Sequence, residues 1–160
     1  MAILDRRSLL LGAAILTFTP QLLKSAPAST ASHILLVCQF GTVKSPIARE
    51  LLKRRAAERH IAVQVTARGI TPQQHITPDL LARLTKEGIN PAAEPLTKLR
   101  PADVANADLV IAFDKLPAEY HPRRLEDWTD LPSMVNDYGN ARAVLDSRID
   151  RLLDRLSAGR

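Results

Sequence analysis

The sequence predicts an α/β fold, a three-layer sandwich around a central four-stranded parallel sheet. Apolar runs at His33 to Val37 and Leu109 to Phe113 have the continuity that a strand buried on both faces requires. Segments of helical period separate the strand candidates, so each strand feeds a right-handed crossover and runs parallel to its neighbour. The 160 residues leave room for a single core once a leader is set aside, so one domain is expected.

The leader comes first. Met1 to Ala31 holds Asp5-Arg6-Arg7-Ser8-Leu9-Leu10, an apolar stretch from Leu9 to Phe18 and a small-residue segment from Ser25 to Ala31, the layout of a bacterial signal peptide. The apolar stretch is too short to cross about 30 Å of hydrocarbon. Paired arginines before it resemble the twin-arginine export signal. Cleavage after Ala28 or Ala31 satisfies the small-x-small preference, and an ordinary packed N-terminal helix is the competing reading. The expected organisation is a signal peptide over 1–31 and a domain over 32–160, exported to the periplasm with no membrane attachment in the mature form.

His33 to Val37 is the first expected strand. Ser45 and Pro46 supply an N-cap and a first-turn proline for a helix whose Ile47, Ala48, Leu51, Leu52 and Ala56 share one face. Ile61 to Thr66 alternates and is rich in valine, which suggests the second strand. Thr77-Pro78-Asp79 opens another capped helix with Leu80, Leu81 and Leu84 inward and Gly88 ending it. Leu109 to Phe113 is the third strand and Arg124 to Trp128 a weaker fourth. Ala141, Leu145, Ile149, Leu152 and Leu156 mark a long closing helix.

Composition excludes several classes. Charged residues at 24% and hydrophobic ones at 46% fit a globular chain. Without the leader's Arg6, Arg7, Lys24 and Asp5 the net charge falls from +5 to +3, and aromatics are only 4%, so nucleic acid is not an expected partner. His33, His60, His75 and His121 lack metal-ligand spacing and read as surface residues, so no metal or cofactor is expected. Cys38 is the only cysteine, which forbids an internal disulfide and leaves a thiol that is either inert or used.

Ligands of parallel sheets bind at the carboxyl ends of the strands. The first such loop is Cys38-Gln39-Phe40-Gly41-Thr42-Val43-Lys44-Ser45, between a buried strand and a helix start. Its amides and the helix N-terminus can converge on an anion. Cys38 is therefore the candidate nucleophile and Lys44 a positive charge beside it, with Gln39 to Ser45 as the phosphate-binding loop.

This loop resembles the signature of the low-molecular-weight protein tyrosine phosphatases, a valine-cysteine strand end, five residues, then arginine-serine-proline entering a helix. Val37-Cys38 and Ser45-Pro46 match it, and Lys44 stands where the arginine is expected. Phe40 and Gly41 replace the usual glycine and asparagine. The likeness spans about residues 33 to 157: Ala67-Arg68-Gly69 stands for a serine-alanine-glycine, Gly88-Ile89-Asn90 resembles a glycine-isoleucine-aspartate, and Ala107 to Asp114 resembles the family's third strand.

The resemblance implies a phosphotyrosine phosphatase I-like fold and a phosphate-monoester hydrolase. Cys38 attacks phosphorus, loop amides hold the oxygens, and an aspartate protonates the leaving group. The family's acid sits in an aspartate-proline pair. Here Asp130-Leu131-Pro132 carries an extra leucine, so Asp130 is the candidate and Asp127 the reserve, with turn capping around Pro132 as the alternative for both. A lysine offers a point charge where arginine grips two oxygens through a planar fork, so attenuated catalysis is expected. Arg68 is a candidate to restore the fork, and Asp114, at a strand end, has two readings, an approach to the same edge and, preferred, the cap of the next turn. Tyr138 reads as a packing residue, with a regulatory site of the kind the family's phosphorylatable tyrosines imply as the alternative. Two other functions compete: a degenerate loop that binds an oxyanion or partner without turnover, and an arsenate reductase that draws on an external thiol.

Overall fold

The computed structural model describes residues 31–159. The expected signal peptide therefore falls, apart from Ala31, outside the described residues. No helix among those described is long and apolar enough to cross a membrane.

Four strands, β1 (Ser32–Cys38), β2 (Val63–Gly69), β3 (Leu109–Ala112) and β4 (Leu125–Asp127), form one sheet in the order β2-β1-β3-β4. All three pairings are parallel, with Leu36 opposite Ala67 and Ile111 in the neighbouring strands. The helices are α1 (Lys44–Glu58), α2 (Pro78–Lys86), α3 (Pro101–Asn106) and α4 (Tyr138–Ala158).

Strand alternation divides the core. Ile34, Leu36 and Cys38 join α1, α2 and α4 in the larger cluster on one face, where Phe113 meets Trp128 edge to face at 5.7 Å. Leu35, Val37 and Val110 face the other way, onto Leu99 and Val104 of the α3 region. This is the expected three-layer α/β sandwich.

The differences are local. Each strand's bounds shift by one to three residues, most for the second, because Ile61 is spent on closing α1: His60 takes φ 54° and Ile61 N–H donates to the Ala56 carbonyl at 2.8 Å. Leu81, expected inside, is 41% exposed, while Leu80 and Leu84 carry the buried face. Helix α3 has no sequence-based counterpart, since its six residues bury only Val104 and show no period. His33 is no free surface residue, because its ring bonds the Asn106 carbonyl and the Thr66 hydroxyl and so ties β1 to its neighbours.

Going from β1, the chain reaches β2 on one side and β3 on the other. Such a reversal places the crevice for a ligand at the carboxyl ends of β1 and β3. Cys38 ends the first of these strands and Asp114 follows the second.

Candidate active site

The loop between β1 and α1 is laid against the segment after β2 by its carbonyls. Ile70, Thr71 and Gln73 N–H groups donate to the Cys38, Gln39 and Phe40 carbonyls at 3.1, 2.8 and 3.1 Å. In a trans peptide the N–H points opposite to the preceding carbonyl, so these three outward carbonyls turn the amides of Gln39, Phe40 and Gly41 inward. Gln39 N–H donates to Asp114 at 2.9 Å and Gly41 N–H to the Cys38 sulfur at 3.3 Å. Among the described residues the amides of Phe40, Thr42 and Val43 donate to no protein acceptor. Those of Lys44 and Ser45 open α1, where no intrahelical acceptor exists. Unpaired donors at a helix start favour an anion.

Two glycines allow this lie. Gly41 has φ +70°, and a Cβ there would stand 2.8 Å from the Gly69 amide nitrogen. A Cβ on Gly69 would stand 2.9 Å from the Phe40 carbonyl. The loop thus touches the end of β2 backbone to backbone.

Cys38 lies on the floor, 4% exposed. The Ser45 hydroxyl is 3.0 Å from its sulfur and 3.5 Å from the Arg68 carbonyl, so its proton is available to a sulfur anion. Ser45 was expected to cap the helix, but α1 begins at Lys44 with Val43 at the cap position, and the hydroxyl serves the cysteine instead.

The Lys44 ammonium donates to the Phe113 carbonyl at 3.2 Å and stands 3.5 Å from one oxygen of Asp114. The other oxygen takes the Gln39 amide. One carboxylate therefore braces both ends of the loop, a role that the turn-cap reading of Asp114 missed. Its position at a strand end next to β1 was the available signal. Gln39 turns its side chain outward to the Thr71 hydroxyl at 2.9 Å, and the Thr42 hydroxyl donates to the Gln73 carbonyl at 3.0 Å.

These residues enclose a cavity of about 370 Å³. Its floor and one wall are the loop with Asp114, and its outer wall is Leu131, Ser133, Met134 and Val135 from the segment before α4. His75 completes it, its ring 4.9 Å from that of Phe40. The bulk of Phe40, a departure from the family pattern, thus lies at the rim against His75.

Three expected site residues are elsewhere. Arg68 pairs in register with Val37, hence shares its face, opposite to Cys38. Its guanidinium donates to the Ala67 carbonyl at 2.9 Å and pairs with Asp103 of α3 at 3.3 Å, so it supplies no fork to the loop. Asp130 is not part of the cavity: it reaches Arg148 at 2.7 Å and is 72% exposed, and that bond above all holds its pKa below the usual carboxylate range. Asp127 accepts from Thr129, which likewise lowers its pKa. The extra leucine explains this, for Leu131 is the buried residue before Pro132 and Asp130 is displaced outward. Tyr138 is buried under the Arg83 guanidinium, 4.9 Å from its ring, as a packing residue.

The Arg68–Asp103 pair gives an expected pH effect. Burial alone raises the Asp103 pKa, but hydrogen bonds from Arg68 and Arg100 outweigh it and the net shift is downward. A depressed folded pKa adds stability that is fully present above the unfolded value of about 3.9 and is lost as pH falls through the lower folded value. Urea unfolding should therefore show Asp103→Asn less stable than the unaltered chain at neutral pH, with the gap closing in acid. A gap independent of pH would contradict this.

Among the described residues no cluster of three or more His, Cys, Asp or Glu is placed to hold a metal.

Comparison with known proteins agrees with the fold. The solved low-molecular-weight protein tyrosine phosphatase from T. tengcongensis aligns with TM-score 0.67 at 19% identity, over 78% of this chain and 99% of that one. A low-molecular-weight phosphotyrosine phosphatase from Vibrio cholerae O395 aligns with TM-score 0.65 at 20% identity, over 79% and 97%. The thioredoxin-dependent arsenate reductase of Corynebacterium glutamicum aligns with TM-score 0.66 at 24% identity, over 83% and 65%. At these identities the likeness is one of fold. No curated protein matches the sequence. The family profile described as low molecular weight phosphotyrosine protein phosphatase matches residues 33–150, most of the chain. With this match over the strand, loop and helices described above, the chain belongs to the low-molecular-weight phosphotyrosine protein phosphatase family, whose members act as phosphatases or arsenate reductases.

Proposed function

We propose that this protein hydrolyses phosphate monoesters through a phosphocysteine at Cys38, at a rate attenuated by Lys44, and that it works in the periplasm after removal of its leader. The convergence of Gly41 N–H and the Ser45 hydroxyl on a floor cysteine, under a rim of unpaired loop amides, carries the reading. The sulfur forms the new bond to phosphorus, and the amides hold the oxygens that gain charge as it forms. Lys44 contributes charge from the wall, yet its ammonium is already engaged by Phe113 and Asp114.

That engagement supports a second reading, in which the loop binds an oxyanion without turning it over. Arsenate reduction needs further thiols, and Cys38 is the chain's only one, so that activity would draw on an external thiol.

Turnover of 4-nitrophenyl phosphate by the unaltered chain and by Lys44→Arg separates the first two. A planar fork adds a charge-assisted hydrogen bond to the transferring group, so Lys44→Arg should raise kcat about tenfold. An unaltered chain without turnover, with activity appearing only in Lys44→Arg, would favour binding alone.

A further inference from the structure

We propose that His75 is the proton donor to the leaving oxygen and the proton acceptor from the attacking water. This rests on the phosphatase reading above. The extra leucine before Pro132 has removed the expected acid: Leu131 occupies the wall, while Asp130 and Asp127 face Arg148 and Thr129. The one carboxylate that does line the cavity, Asp114, has both oxygens engaged by the Gln39 amide and the Lys44 ammonium, and recruiting it would release the loop.

His75 lines the same cavity as Cys38, and neither of its ring nitrogens is engaged by a described residue. Its ring lies against Phe40, tilted by 47°, so the loop's unusual aromatic residue sets the imidazole at the rim. Imidazole is the side chain that gives and takes protons near neutrality. No other group of the cavity combines that chemistry with a free position, since the remaining lining side chains are apolar, hydroxyl, thiol, amide or the held Lys44 and Asp114.

In the first step the Cys38 sulfur bonds to phosphorus as the bond to the ester oxygen breaks. The departing electron pair settles on that oxygen, which takes a proton from the His75 imidazolium. In the second step water bonds to phosphorus and passes a proton to the neutral imidazole. The sulfur–phosphorus bond breaks, its electron pair returns to sulfur, and inorganic phosphate leaves with His75 recharged.

The test compares kcat/KM, which reports the first step, for 4-nitrophenyl phosphate and phenyl phosphate. Nitrophenolate departs without a proton and phenolate does not. His75→Asn and His75→Gln should each lower kcat/KM about 100-fold on phenyl phosphate, and about threefold or less on the nitrophenyl ester. His75 is exposed, so both variants should keep the thermal midpoint of the unaltered chain. Equal losses on the two esters, no loss on either, or a substrate-dependent loss in Asp130→Asn would overturn the assignment. An unaltered chain that hydrolyses neither ester would overturn the phosphatase reading itself, and this role with it.

Discussion

Replacing Cys38 by serine is expected to cut hydrolysis of 4-nitrophenyl phosphate by about 1000-fold or more, to background, while leaving the fold and phosphate binding in place. Serine is close to cysteine in size, and the side chain at this position is buried, with Cys38 only 4% exposed. An oxygen at that position still accepts from Gly41 N–H and exchanges a hydrogen bond with Ser45, so the loop keeps its lie. What is lost is the nucleophile, because a serine hydroxyl with no adjacent base is a weak one. Circular dichroism and calorimetric titration with inorganic phosphate should match the unaltered chain. A serine variant keeping a tenth or more of the activity would show that the chemistry lies elsewhere.

Gly41→Ala should cost about 3 kcal/mol of stability and remove activity as well. Two effects add. A residue with a Cβ is strained at φ +70°, and that Cβ would lie 2.8 Å from the Gly69 nitrogen. The Leu96 side chain, at the same distance, can swing aside, but Gly69 N–H is bonded to the Thr97 carbonyl at 3.0 Å and its residue is paired with Cys38 in the sheet. Relief must therefore come from the loop, which lifts off β2 and spoils the inward set of its amides. Overpacking of this kind costs about 1–3 kcal/mol, with local strain in addition. Urea unfolding measures the first effect and 4-nitrophenyl phosphate turnover the second. A loss under about 1 kcal/mol with activity retained would mean that the close backbone contact is dispensable.

Much of this arrangement was legible in the residues. The apolar run ending at Cys38, followed by Ser45-Pro46 and an amphipathic stretch, placed the loop at the sheet's carboxyl edge and the cysteine within it. Helix α3 was not legible, since a single buried Val104 cannot declare a period. The face of Arg68 depends on strand register, and a shift of one residue reverses it. Its pairing with Val37 turned it to Asp103. Asp130 failed for a related reason, because one inserted residue carried it out to Arg148 while its neighbour Leu131 filled the wall. His75 stands in an aperiodic segment, and only the tertiary contact with Phe40 brings it to the cavity. Asp114 lay in view at the end of β3, but its hydrogen bond from Gln39 and its ion pair with Lys44 span a long stretch of chain.

The central claim is that a phosphoryl group passes through the sulfur of Cys38. Rapid acid quenching during turnover of 4-nitrophenyl phosphate, followed by proteolysis and mass analysis, tests it most directly. The peptide containing Cys38 should gain one phosphoryl group, which disappears as substrate is exhausted and never forms in Cys38→Ser. Steady hydrolysis with an unmodified Cys38 peptide, or a phosphoryl group found on another residue, would contradict the account.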